Sequence, residues 1–187
     1  MPDARERVLL DACTLLNLCA SGCCERILRE SEMRFGVIDY VLRTEALHVQ
    51  KGGGGPDARE RIPVDLKPLV DAGMLDVVEV SGEAEAATFL NLAMQLDDGE
   101  ARTLAVALHR RWAVATDDRK TRRLIANSPA SIRVFGTLKI VKQWADAQAV
   151  SQEELRSILL NIRERGNFLP GRQDPLGVWW RSLVESS

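Results

Sequence analysis

Trp112-Ala113-Val114-Ala115-Thr116-Asp117-Asp118-Arg119-Lys120 is the stretch on which the reading of this chain turns. Residues 112–116 are a short apolar run of the kind that a parallel sheet buries on both faces, and the run stops at two adjacent acids. A basic helix is expected to follow over 119–126. The same order occurs near the start of the chain, where Arg7-Val8-Leu9-Leu10 runs into Asp11 and Leu15, Leu16, Leu18 and Cys19 then return at helical intervals.

The remaining elements are assigned outward from these two segments. Helices are expected over 24–32 and 37–48, the second with Val37, Val41, Leu42 and Ala46 on one face. Lys51-Gly52-Gly53-Gly54-Gly55-Pro56 can hold neither a helix nor a central strand and reads as a flexible loop or hinge. A helix over 63–72, an alternating strand over 74–80 and an Ala- and Leu-rich helix over 83–95 come next. Asp97-Asp98-Gly99-Glu100 opens a strong helix over 101–110, and beyond the 112–116 strand lie a strand over 132–135 and a helix over 138–147 begun by Gly136-Thr137. Ser151-Gln152-Glu153-Glu154 is a capping signature for a helix to about residue 165. The tail beyond it, with Pro170, Pro175 and Trp179-Trp180, reads as irregular with an aromatic anchor against its own domain or a partner. Pro-Asp-Ala-Arg-Glu-Arg occurs at 2–7 and 56–61 with nothing else repeating around it, so it marks no structural period. Strands alternating with helices predict an α/β fold, a three-layer α/β/α sandwich with a mostly parallel central sheet and a helical C-terminal extension. The expected division is a domain over 1–150 and an appended helix and tail over 151–187.

The chain has 187 residues, 45% of them hydrophobic and 28% charged, which fits an ordinary globular domain and excludes disordered and collagenous classes. No apolar run is long enough for a membrane span, and the charged start argues against a secretory signal, so a cytoplasmic protein is expected. Cys13, Cys19, Cys23 and Cys24 lie too close together to staple the fold, and no second Cys or His pair completes a zinc site. The net charge of -2 conceals a strong segregation: residues 71–100 carry eight acids and no Lys or Arg, whereas 101–143 carry ten Lys or Arg and two acids. Such blocks are either solvated helix faces or a basic surface for a phosphate backbone beside an acidic pocket.

Functional groups of a parallel sheet gather at the carboxyl ends of its strands. Asp11 and Asp117-Asp118 are expected there, Glu100 opens the helix leading into the second of these strands, and Glu45 in the 37–48 helix is a fourth acid. Each has a plain structural alternative. Asp97 and Glu100 form a capping-box-like pair, Asp117 or Asp118 can cap the basic helix, and Glu45 can be a solvated residue near Arg43. Asp11 is the hardest to explain away, because an acid at the end of a buried strand needs something to neutralise it.

Taken in order, Val8-Leu9-Leu10-Asp11-Ala12-Cys13-Thr14-Leu15-Leu16, the acid Glu45, Gly99-Glu100-Ala101 and Ala115-Thr116-Asp117-Asp118-Arg119-Lys120 resemble the PIN-domain ribonuclease family, which includes the VapC-type toxins. The resemblance spans about residues 7–147. It implies a Mg²⁺- or Mn²⁺-dependent endoribonuclease with Asp11, Glu45, Glu100 and Asp118 as catalytic acids. Asp11, Glu100, Asp117 and Asp118 are then the implied metal ligands. Glu45 is the implied water-orienting or second-metal residue, Cys13 stands where relatives commonly have Ser or Asn, and RNA is the implied partner. A toxin role, an antitoxin partner and a homodimer are further implications.

The chemistry of the residues agrees. Carboxylates are hard ligands suited to Mg²⁺ or Mn²⁺, and two of them about 6 Å apart repel by roughly 3 kcal/mol at an effective dielectric near 20, so a cluster calls for a cation, a proton or outward splaying. Arg119, Lys120, Arg122 and Arg123 follow Asp118 and are expected to hold RNA phosphates. The competing reading is a PIN-like module that binds nucleic acid or protein without cutting. A dehalogenase-type phosphatase needs an Asp where Cys13 stands, and a receiver domain needs an acidic pair ahead of its Asp; neither pattern is present.

Overall fold

A computed structural model describes residues 5–44, 47–53 and 57–185. Its central sheet joins β1 (Glu6–Leu10), β2 (Met33–Ile38), β5 (Leu75–Val78), β6 (Ala113–Ala115) and β7 (Val134–Phe135) in the order β5-β2-β1-β6-β7, every pairing parallel. β3 (His48–Gln50) and β4 (Arg61–Pro63) form a separate antiparallel pair. Val8, Leu9 and Leu10 are each exposed by 1% or less. Successive strand side chains point to opposite faces, so both faces of the sheet are covered, as an α/β sandwich requires.

The chain divides into two compact units. The first, Met1–Thr14, Glu32–Ala46 and Asp65–Gly136, holds the five-stranded sheet with α3 (Asp39–Thr44), α4 (Lys67–Asp71), α5 (Gly82–Leu92), α6 (Asp98–Arg110) and α7 (Arg119–Ala126). Asp97 caps α6, accepting the Glu100 N–H at 2.8 Å, and Asp118 caps α7, accepting the Thr121 N–H at 2.5 Å. Sequence order within the sheet reverses between β1 and β6, which makes the crevice beyond their carboxyl ends the switch point of the fold.

The second unit, Leu15–Ser31, Leu47–Val64 and Thr137–Ser187, is mainly helical. It contains α2 (Cys24–Glu30), α8 (Thr137–Ala147), α9 (Gln152–Arg165), α10 (Gly177–Val184) and the greater part of α1 (Ala12–Ala20). Trp144 is 2% exposed and its indole N–H donates to Glu30 at 3.1 Å. Trp180 and Val184 of α10 are buried, and the Arg156 guanidinium of α9 donates to the Leu183 carbonyl at 3.1 Å. Among the described residues, no helix is long and apolar enough to cross a membrane.

Three readings of the sequence need correction or extension. The helix expected over 37–48 is the end of β2, then α3, then β3, because the apolar run Val37-Ile38 closes a doubly buried strand whose pattern also fits a helix. The loop expected over 51–56 is a loop at its described residues 51–53, but it lies within an unforeseen antiparallel hairpin, where Lys51 N donates to Glu60 O at 2.9 Å and Gly52 N to Ala58 O at 3.0 Å. Its strands are three residues long and too short to show alternation, and Gly54, Gly55 and Pro56 lie outside the described residues. The tail is not irregular throughout, since Trp179 and Trp180 sit in α10.

Gly36 in β2 has no room for a larger residue. A Cβ there would meet Leu9 Cδ2 and Val78 Cγ2 at 3.2 Å and the Asp76 carbonyl at 3.4 Å. Gly36→Val is therefore expected to lower stability by about 1–3 kcal/mol despite the strand preference of valine. A melting temperature equal to or above the parent's would contradict this packing.

Candidate functional site

The site grows from the ends of two adjacent strands. β1 and β6 pair from Val8–Ala113 to Leu10–Ala115, and the Asp11 N–H continues that pairing by donating to the Ala115 carbonyl at 3.0 Å. Asp11 is thereby fixed beside Thr116, with Asp117 and Asp118 next along the second strand's exit. The Asp11 side chain is 5% exposed and accepts the Thr14 N–H on Oδ1 at 2.6 Å. Burial pushes its carboxyl up to about 6, while hydrogen bonds from the Thr116 hydroxyl and from Thr14 pull it down and the charge of Asp117 adds to the rise.

Glu100 lies in the first turn of α6. Burial and then repulsion from Asp97, Asp118 and Asp11 push its carboxyl up to about 7. Asp11, Glu100, Asp117 and Asp118 therefore share one electrostatic neighbourhood in the first unit, and the N-termini of α6 and α7 turn their positive ends toward it. Asp118 uses Oδ2 for its cap, which leaves Oδ1 uncommitted to the helix. Asp117 Oδ1 sits 3.7 Å from the Arg122 guanidinium. The fourth expected acid, Glu45, lies outside the described residues.

The four basic residues divide by environment. The Arg122 Nε–H donates to the Thr116 carbonyl at 2.9 Å and an Nη–H to the Phe135 carbonyl at 3.2 Å, so this side chain clamps the ends of β6 and β7 together. Gly136 accommodates the clamp, because a Cβ there would fall 2.5 Å from Arg122 Nη2 and 2.8 Å from Asp117 Oδ1. The Lys120 ammonium donates to the Gln95 carbonyl. Arg119 and Arg123, one turn apart on α7, are exposed.

The sequence reading passed over Asp39. It directly follows β2, neighbour of β1 in the sheet, and its Oδ2 lies 3.6 Å from Arg43 Nε. Val37-Ile38-Asp39 repeats the pattern of Leu9-Leu10-Asp11, a signal hidden by reading that segment as helix.

Among the described residues, no three His, Cys, Asp or Glu side chains converge as a ready-made cation site. The donor set still suits Mg²⁺ or Mn²⁺, because such an ion keeps several waters and needs one or two carboxylates. Two carboxyls pushed toward neutrality by burial and like charge are the mark of negative charge that a cation would relieve.

This electrostatic strain has a measurable sign. Folded Asp11 holds its proton to about pH 6, whereas an unfolded Asp releases it near 3.9. The folded state therefore binds more protons between those values, and stability falls as pH rises through that window, by about 3 kcal/mol in all. Without metal at pH 7, Asp11→Asn is expected to melt about 5–10 °C above the parent. That advantage should shrink as pH falls toward 4. Equal melting of both proteins at pH 7 would contradict the assignment.

A family profile described as a PIN domain matches residues 48–173, about two thirds of the chain, including Glu100, Asp117 and Asp118. No curated protein and no solved structure matches. With a parallel α/β sheet whose switch point gathers acids, and a profile match over most of its length, the chain belongs to the PIN-domain family, whose fold is of the nuclease type.

Proposed function

We propose that this chain is a metal-dependent endoribonuclease that hydrolyses RNA phosphodiester bonds. The observation that carries the proposal is the pairing of β1 with β6, which seats Asp11 beside the Asp117-Asp118 exit and within electrostatic reach of Glu100.

In this reading Asp11, Glu100 and Asp118, with Asp117 beside them, would hold Mg²⁺ or Mn²⁺, and Glu45 would orient the attacking water. When bound, the ion supplies a Lewis acid for the phosphoryl oxygen and a lowered water pKa. The chain's own residues do the rest. Thr14 N–H and the Thr116 hydroxyl hold the Asp11 carboxylate in place, and the α7 cap fixes Asp118. Without metal, burial and neighbouring acids push the Glu100 carboxyl up to about 7, and a bound cation would favour its ionised, ligating form. Water adds to phosphorus as the P–O ester bond opposite it breaks, the water's proton passing to the water-orienting carboxylate and the leaving ribose oxygen taking a proton from solvent. Arg119 and Arg123 would hold the RNA backbone by charge, while Arg122 keeps the loop ends in register.

Asp118→Asn tests the reading cleanly, since Asn caps a helix as well as Asp and removes only the charge. Asp118→Asn and Asp11→Asn are each expected to keep the fold by circular dichroism, to lose the rise in melting temperature that Mn²⁺ gives the parent, and to cut RNA roughly 10²–10⁴-fold more slowly. Parent-like cleavage by both variants would sink the assignment. RNA binding by the parent with no cleavage under any divalent ion would favour the non-catalytic PIN-like module.

Arg119→Ala combined with Arg123→Ala should weaken RNA binding and lower the salt slope by about 1–2. An unchanged slope in filter-binding measurements would remove α7 from the RNA surface.

A further inference from the structure

The metal-site reading leaves the cysteines unused, and three of them meet at the junction of α1 and α2 in the second unit. Cys19 sits in the last turn of α1 and Cys24 is the first residue of α2, with their Sγ atoms 3.7 Å apart. The turn between them is tightly determined. Ser21 N donates to Asn17 O at 3.1 Å, Gly22 adopts φ +80° while its N–H donates to Cys19 O at 3.3 Å, and Cys23 N donates to the Ser21 hydroxyl at 3.0 Å. α9 holds the same turn from outside, through Arg165 to Ala20 O at 3.2 Å and Asn161 to Ser21 O at 3.3 Å. The Cys23 thiol is drawn aside to the Ser21 hydroxyl at 3.3 Å. Cys19 and Cys24 are both half-buried.

We propose that Cys19 and Cys24 are a redox-active dithiol that closes to an intramolecular disulfide on reaction with a low-molecular-weight disulfide. The sulfurs are already in van der Waals contact across a turn that keeps both helix ends in place, so closure needs side-chain rotation and little backbone movement. The Cys19 thiol donates to Cys24 across the turn, and the Arg165 charge lies near Cys19. The thiolate of one of the pair attacks one sulfur of the reagent disulfide, forms a mixed disulfide and expels the first reagent thiolate. The thiolate of the other then attacks the protein sulfur of that mixed disulfide and expels the second. Two protein thiols lose two electrons and two protons, and the reagent disulfide is reduced to two thiols.

The test is equilibration of the full chain with oxidised and reduced glutathione, acid quenching, alkylation and peptide mapping. Two of the four thiols are expected to become protected, in a Cys19–Cys24 link, with the oxidised fraction following the square of reduced glutathione over oxidised glutathione. Cys23→Ser should leave this behaviour unchanged, and Cys19→Ser should abolish the link. A fraction that follows the first power of reduced glutathione, showing a mixed disulfide alone, would overturn the proposal. So would a link that uses Cys23. The dependence on glutathione is read on the parent protein, so the conclusion survives a variant that fails to fold, and it does not depend on the nuclease reading.

Discussion

The first unit is organised around a repulsion. The sheet order places β1 and β6 side by side, and each ends in carboxylates. Nothing in local sequence requires acids far apart in the chain to meet, and their meeting is unfavourable by itself. The fold tolerates it through dipoles: the Thr14 N–H and Thr116 hydroxyl on Asp11, and the N-termini of α6 and α7. Despite these donors, burial first and like charge second leave the Asp11 and Glu100 carboxyls pushed up to about 6 and about 7. A site held in that condition is preorganised for positive charge, whether a hydrated divalent ion or a proton in transit.

Capping and chemistry share the same side chains here. Asp118 ends the β6 exit, begins α7 and joins the acidic neighbourhood, all through one residue. The structural explanation of such a residue and the functional one are compatible, because a carboxylate has two oxygens and a cap uses one. Arg122 is the converse case. A basic residue on a strongly basic helix is turned inward, where it bonds the carbonyls of Thr116 and Phe135 and sits beside Asp117. Gly136 is the space that this inward turn occupies. A positive charge that reads as a phosphate contact in the sequence is thus built into the loop that carries the acids, and Arg119, Lys120 and Arg123 present the exposed charge of the helix.

The α/β class, the parallel sheet and the places of Asp11 and Asp117-Asp118 at strand ends were legible from residue order alone. Short apolar runs that stop at an acid and give way to a 3.6-residue period are local patterns, and α7 runs over the residues expected of it. The β2 strand, the β3–β4 hairpin and α10 were not legible, for physical reasons. A strand buried on both faces has no alternation to distinguish it from a buried helix, three-residue strands are fixed by their partners, and the Trp-bearing tail follows prolines and glycines that suggest no regular structure. The hidden β2 also concealed Asp39 as an acid on the same edge of the sheet.

Sequence by itself determined which residues carry charge, which segments are apolar, and that acids follow two of the strands, because composition and periodicity are properties of neighbours along the chain. Tertiary structure alone decided that β1 lies beside β6, that Glu100 feels Asp11 and Asp118, that Arg122 points inward, and that two thiols face each other across the α1–α2 turn. Those outcomes depend on strand order, helix orientation and burial, which raise or quench the interaction between groups distant in sequence.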